Sequence, residues 1–286
     1  MNNGEGHTIY MLGIGGIGMS ALARYYHSRG CTVVGYDRTP SPLTRQLEQE
    51  GMSIHYEDRP DLLPAIIDFV VYTPAVPNDL KEFEALRQRD VLIMKRAEAL
   101  GRITKGHFTI AVAGTHGKTT TTAMVAHILN QCGLSTTAFI GGIANNFGSN
   151  LLLSKEKDCV IVVEADEFDR SFLKLHPDIS IVNSIDADHL DIYGDRQHLV
   201  QSFNDFAHLT QELAIIKEGL EVEADNSVRF GFGEACDYRV EVLKSDRGIT
   251  DFVIYGKDRK TEVRLPMAGN HNVLNATAAF IASCQS

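Results

Sequence analysis

Residues 108–127 read FTIAVAGTHGKTTTTAMVAH and constrain this chain more than any other stretch. The short run 109–113 has the character of a strand buried on both faces. Residues 114–120 follow as Gly-Thr-His-Gly-Lys-Thr-Thr. Beyond them, Ala123, Val125, Ala126 and Leu129 recur as the buried face of a helix. Strand, glycine-rich turn, Lys-Thr and helix, in that order, make a cradle for nucleotide phosphates. Gly114 and Gly117 let the backbone turn tightly and approach the anion. The amides of Thr115, His116 and the first helical turn, through Thr119 and Thr120, are placed to point at it. Lys118 supplies a positive charge to the outer phosphates, and the Thr119 hydroxyl is a ligand for Mg²⁺. The general motif has four residues before its Gly-Lys. Here only Thr115 and His116 separate the glycines, and Ala113 stands where an earlier glycine would be. An ordinary strand–helix turn that contains a lysine is the plainer alternative, and the complete order of parts weighs against it.

A second glycine-rich turn lies near the start. A predicted strand over residues 7–12 leads into Gly13-Ile14-Gly15-Gly16-Ile17-Gly18. A helix then runs towards Gly30, and residues 31–36 form a second strand that ends at Asp37. This is a βαβ unit with G-x-G-x-x-G in place, and Asp37 lies 19 residues beyond Gly18, near the spacing of a ribose-binding acid. Taken alone, the pattern points first to a dinucleotide, and a tight packing turn is the alternative. The α/β alternation continues, with a helix at 43–50, a strand at 68–72, a helix at 79–89 and a strand at 91–94. Residues 73–77, Thr-Pro-Ala-Val-Pro, form a loop at a strand's carboxyl end, where open α/β sheets bind ligands. The basic pair Lys95-Arg96 reads as a solvated helix start.

The second half carries acidic candidates. A strand over 159–163 ends in Glu164-Ala165-Asp166-Glu167-Phe168-Asp169. Carboxylates at a strand end beside a phosphate cradle suit Mg²⁺, a hard cation that takes one or two of them plus phosphate and water. Another apolar strand, 179–183, runs into Asp186, Asp188, His189 and Asp191. Residues 141–150 read as a glycine- and asparagine-rich loop. Three alternating stretches, 238–243, 250–255 and 261–265, predict a β-rich annex with hairpin turns. Residues 269–279 open a helix with Asn and His near its start.

The 286 residues suggest two domains. The boundary is expected at 104/105, with a hinge near residues 101–106. The formal charge of −10 argues against nonspecific nucleic-acid binding. No run is long enough to span a membrane, and the polar first residues do not form a signal peptide. Five dispersed cysteines without a C-x-x-C pair fit a reduced, cytoplasmic protein.

The string GTHGKTTTT resembles the ATP loop of the Mur ligases, which build the peptidoglycan peptide. GIGGIGMSALA, TPAVPND, MKRAEAL, EADEFDRSFL and the GNHNVLNATAA helix resemble the same family, closest to its alanine-adding branch. The resemblance implies a fold: a Rossmann-like UDP-sugar-binding domain (1–104), then a P-loop ATPase α/β domain with the β-rich annex (105–286). It also implies that Gly15, Gly16, Ile17 and Gly18 donate amides to a UDP diphosphate rather than to NAD. Asp37 would lie near the uridine, and Thr73 and Ala75 along the sugar-nucleotide groove. The 141–150 loop would face the substrate cleft. Thr119, Glu164 and His189 would hold Mg²⁺, with Asp166 and Glu167 supporting. His271 and Asn275 would contact the adenine end of ATP. Lys118, Glu164 and His189 would be the catalytic residues.

The implied reaction joins L-alanine to UDP-N-acetylmuramate through an acyl phosphate, at the expense of ATP. Some relatives carry a modified lysine beyond the D-H-x-D segment, whereas residues 188–216 contain no lysine. The family's third domain is absent from this sequence, so the expectation is a fragment that ligates poorly alone. Three other readings stay open: a murein-peptide recycling ligase on the same sugar nucleotide, an NAD-dependent oxidoreductase, and a nucleotide switch without ligase activity.

Overall fold

The computed structural model describes residues 6–186, 196–257 and 259–285. It divides into two compact units, Met1–Arg102 and Ile103–Ser286.

The first unit contains β1 (Thr8–Leu12), α1 (Ile17–Ser28), β2 (Thr32–Tyr36), α2 (Pro42–Gln49) and β3 (Ser53–His55). It continues with β4 (Phe69–Tyr72), α3 (Lys81–Arg87), β5 (Leu92–Lys95) and most of α4 (Arg96–Thr104), whose last two residues fall in the second unit. The five strands form a parallel sheet in the order β3-β2-β1-β4-β5. Strand β1 sits at the centre, and Ile9 through Leu12 are fully buried, as a strand covered on both faces must be. Tyr10, Leu12, Val70, Phe83 and Leu86 pack into one core on the α3 side. Each such side chain contributes about 1.5–3 kcal/mol of burial. Helix α2 starts where its sequence says: Ser41 and Thr44 form a reciprocal capping box and Pro42 takes the first helical position. The expected hinge at 101–106 begins as helix, with Gly101 inside α4, and Lys105 and Gly106 (φ +94°) form the turn that follows.

The second unit contains β6 (Thr109–Ala113), α5 (Lys118–Gln131), β7 (Thr136–Ala144), β8 (Ser149–Leu152), β9 (Val160–Glu164) and a 3₁₀ segment, Phe168–Lys174. After β10 (Ile179–Val182) come α6 (Arg196–His208), β11 (Leu213–Lys217), β12 (Ser227–Gly231), β13 (Tyr238–Asp246), β14 (Ile249–Tyr255), β15 (Lys260–Leu265) and α7 (Asn270–Ser283). One ten-stranded sheet runs β15-β14-β13-β12-β11-β10-β6-β9-β7-β8. Its middle, from β12 to β7, is parallel. Both ends are antiparallel.

One expectation is sharpened here and one changes. The β-rich annex is attached through the sheet: β13 pairs in parallel with β12 at Phe230–Tyr238 and Gly231–Arg239, so β13–β15 extend the central sheet. The 141–150 loop is the turn of a hairpin, with β7 continuing to Ala144 and β8 starting at Ser149. Glycine and asparagine concealed a strand that draws its bonds from a neighbour rather than from local propensity.

Candidate functional site

In the second unit, β10, β6 and β9 are adjacent and parallel, so their carboxyl ends open on one edge. Gly114 follows β6, Glu164 ends β9, and Asn183 and Ser184 follow β10. The phosphate loop is therefore flanked on both sides. Gly114 (φ +138°) and Gly117 (φ +81°) have backbone conformations that a side chain strains. Space forbids a side chain as well. A Cβ at Gly117 would lie 2.6 Å from Asn275 Oδ1, and one at Gly114 would lie 2.9 Å from the Ser184 nitrogen. Gly117 is also the residue that caps α5, so the first-turn amides of Lys118, Thr119 and Thr120 are free of intrahelical partners.

Ser184 holds the loop in shape. Its carbonyl accepts the Thr115 amide at 3.1 Å, its hydroxyl accepts the His116 amide at 2.8 Å, and Thr115 Oγ1 lies 3.0 Å from that hydroxyl. The amides of Thr115 and His116 are thus spent inside the protein. Those left for an anion begin at the helix itself. The His116 ring is exposed, with Nε2 3.6 Å from Asp186.

Lys118 lies against two anchors. Nζ donates to the Gly114 carbonyl at 2.6 Å and to Glu167 Oε1 at 3.0 Å, with Oε2 at 2.8 Å. Glu167 is only 1% exposed. The resemblance gave Glu167 a supporting part at the metal. Residues 165–167 separate β9 from the 3₁₀ segment, and Glu167, the last of them, has its carboxylate on the lysine. Asp166 accepts the Phe168 amide at 3.1 Å, closing the same turn.

Thr119 and Glu164 meet as expected. The Thr119 hydroxyl lies 2.9 and 3.1 Å from the two Glu164 oxygens, and the Gly141 amide donates to Oε2 at 2.7 Å. Burial pushes the Glu164 carboxyl above its ordinary value. The bonds from Thr119 and Gly141 and the charge of Lys118 oppose that rise, and Asp166 adds to it. A hydroxyl and a carboxylate within hydrogen-bond reach are two hard oxygen donors, the number Mg²⁺ usually takes from protein when phosphate and water complete its shell. The donor set fits that cation. Among the described residues no three His, Cys, Asp or Glu side chains form a metal cluster. His189 lies outside the described residues.

Helix α7 brings Asn275, 7% exposed, to the loop at Gly117, whereas His271 is exposed at the start of that helix. Asn183 was not anticipated. Its Nδ2 donates to Thr121 Oγ1 at 2.9 Å, and it lies 3.2 Å from where a Gly117 Cβ would be. Asn183 and Ser184 follow a plain apolar strand, and only the neighbouring acids D-x-D-H-x-D marked that strand end.

In the first unit the carboxyl ends of β2, β1 and β4 are in register at Tyr36, Leu12 and Tyr72. Gly13, Asp37 and Thr73 therefore share one edge. A Gly13 Cβ would come within 2.6 Å of Thr73 Cγ2. Ala75 is exposed in the following loop. Gly13 and Ile14 donate to the Tyr36 carbonyl, and Gly16 donates to Gly13. Asp37 Oδ2 accepts the Gly15 amide at 2.7 Å, so Asp37 faces the turn itself. At the helix start, a Gly18 Cβ would lie 2.7 Å from Arg96 Nη1. Arg96, read as solvated, places its guanidinium at the glycine turn.

No described helix is long and apolar enough to cross a membrane. The five cysteines are free thiols.

Residues 112–283 match the Mur ligase middle domain, and residues 8–108 match the Mur ligase family catalytic domain. A UDP-N-acetylmuramate–L-alanine ligase from Cytophaga hutchinsonii is 43% identical, over 99% of this chain and 64% of that protein. The chain thus spans less than two thirds of that relative's length. The crystal structure of UDP-N-acetylmuramate–alanine ligase from Thermotoga maritima superposes with a TM-score of 0.84 at 31% identity, over 97% of this chain and 65% of that one. A murein peptide ligase from Psychrobacter arcticus gives 0.85 at 27% identity, over 98% and 65%. With both halves of its length matched in order, and with the phosphate loop and the Thr119–Glu164 pair in place, the chain belongs to the Mur ligase family.

Proposed function

We propose that the chain carries the two nucleotide-binding units of a cytoplasmic, ATP-dependent ligase that joins L-alanine to UDP-N-acetylmuramate. The observation that carries the reading is the arrangement of Lys118, Thr119 and Glu164 around the helix start at Gly117, in a chain similar to an alanine-adding ligase. In this reading the second unit takes ATP. The first-turn amides of α5 and the Lys118 ammonium bind its phosphates, and Asn275 and His271 lie along the nucleoside. Thr119 and Glu164 would hold Mg²⁺, which supplies charge neutralisation at the transferred phosphate. His189 belongs to the same proposal. The first unit takes the UDP portion at residues 15–18, with Asp37, Thr73 and Ala75 around it.

The chemistry is displacement in two steps. The muramate carboxylate attacks the terminal phosphorus of ATP, the bond to ADP breaks, and an acyl phosphate forms. The amine of L-alanine then attacks the acyl carbon, loses a proton, and expels inorganic phosphate as the amide forms. Both nucleophile and phosphate are anionic in the first step, so the work of the protein is placement and charge compensation. Lys118 offsets phosphate charge. Glu167 aims Lys118 and keeps its half-buried ammonium paired until phosphate arrives.

Calorimetric titration tests the reading. UDP-N-acetylmuramate and Mg·ATP are each expected to bind, NAD⁺ is not, and Lys118→Ala abolishes the ATP signal alone. Binding of NAD⁺ in place of the sugar nucleotide would overturn the assignment of the first unit. The murein-peptide alternative rests on the comparable superposition of the Psychrobacter enzyme. It predicts that the full-length ligase uses a tripeptide in preference to alanine.

A further inference from the structure

A second polar network lies in the first unit, away from the phosphate loop. Glu82, on α3, is fully buried. Its carboxylate accepts the Tyr10 hydroxyl, the Arg59 amide at 2.9 Å, and His55 Nε2 at 2.8 Å. A carboxylate only accepts, so His55 carries its hydrogen on Nε2. In return, Asp58 caps α3 by accepting the Lys81 and Glu82 amides, each at 3.0 Å. Tyr10 is buried as well. Burial, reinforced by Glu82, raises its phenol far above the usual range, so it stays a donor. A buried carboxylate with three donors is well satisfied, and losing one of them is expensive.

One route from the network to the ligand edge runs through β3. Strand β3 is three residues long and lies at the sheet's edge, so little backbone bonding holds it. Its last residue is His55. The His55 carbonyl accepts the Asp37 amide at 3.1 Å, the rung that closes the β2–β3 ladder. Asp37 in turn holds the Gly15 amide.

We infer that the buried Tyr10–Glu82–His55 network is a positioning device: it anchors the end of β3 so that the Asp37 carboxylate stays on the glycine turn that takes the UDP diphosphate. The effect on UDP rests on the function proposed above, whereas the effect on the turn does not. Tyr10, Glu82 and His55 are positioning residues, none of them placed against the ligand.

The test separates the two. Amide NMR of the ligand-free protein reads the Gly15 and Asp37 resonances, and calorimetry reads UDP affinity, in the wild type and three variants. His55→Leu is expected to shift both amides and to weaken UDP about tenfold, the scale of one charge-assisted hydrogen bond. His55→Gln keeps a donor at the Nε2 position and restores affinity to within about threefold of wild type. Leu86→Ala removes a fully buried core side chain from the same unit and is expected to lower stability while leaving both amides and UDP affinity unchanged. The inference fails if His55→Leu leaves the Gly15 and Asp37 amides in place, or if Leu86→Ala weakens UDP equally. A wild type that does not bind UDP, with the amide shifts still produced by His55→Leu, would sink the proposed ligand and leave the positioning device standing.

Discussion

Gly117 concentrates three demands on one residue. It must hold φ at +81°, admit Asn275 within 2.6 Å of any added Cβ, and leave the α5 amides open. Gly117→Ala is expected to cost about 1–2 kcal/mol from the left-handed backbone alone, with more from the clash, and to remove ATP binding. Thermal denaturation and ATP titration of one preparation check both. Glu164 makes a different trade. Its carboxyl is raised by burial, so the folded state holds the proton more tightly than the unfolded chain does. A raised group favours folding below its unfolded value and loses that contribution as pH rises through the folded value. Ionising Glu164 is therefore a burden on the ligand-free fold. Glu164→Gln is expected to melt higher than wild type near pH 7, and the difference should shrink as pH falls through the raised folded value and be gone once pH is below the ordinary value of 4.5. The same variant should lose its response to Mg·ATP. A lower melting point at pH 7 would show that the bonds from Thr119 and Gly141 outweigh the desolvation.

At the scale of elements, what matters is how strand ends are stitched. The loop between β6 and α5 is held by Ser184 beyond β10, and Lys118 by Glu167 beyond β9, so three parallel strands supply one cradle. The β13–β15 extension is attached more thinly. Only two residue pairs join β13 to β12, although Phe252 and Ile254 pack with Val273 of α7 behind it. Local opening follows the weakest set of contacts. Hydrogen exchange should show β14 and β15 exchanging before β6, β9 and β10. Equal protection across all ten strands would mean that the packing on α7 makes the extension part of one cooperative unit.

At the scale of the whole molecule, two α/β units each place glycine turns at the carboxyl edge of a parallel sheet, the usual ligand edge of such folds. The net charge of −10 makes this placement necessary. In the proposed function an anionic nucleotide approaching an acidic protein needs local donors, and helix starts, Lys118 and Arg96 would supply them. Each turn is also guarded by an acid, Asp37 on Gly15 and Glu167 on Lys118. Binding in either unit therefore begins from a site in which one donor, the Gly15 amide or the Lys118 ammonium, is already paired with an acid of the protein.

Much of this was legible in residue order. Strand–glycine turn–helix is a local pattern, complete within about a dozen residues, so the two glycine turns, their order and the place of Lys118 and Thr119 at a helix start follow from steric and hydrogen-bonding rules that neighbouring residues satisfy among themselves. Periodicity marked the central strands because burial on both faces demands continuous apolar runs. The turn that became β7 and β8 escaped, since its glycines and asparagines pair with strands they do not resemble. Distant partners escaped for the same reason. Glu167 reaches Lys118 across 49 residues, Ser184 reaches His116 across 68, and Glu82 reaches Tyr10 across 72. The sequence by itself determined the central strands, most of the helices and the glycine turns between them. Only the tertiary structure decided which distant carboxylate or hydroxyl satisfies each buried donor, because that choice depends on strand order and on which side chains are desolvated together.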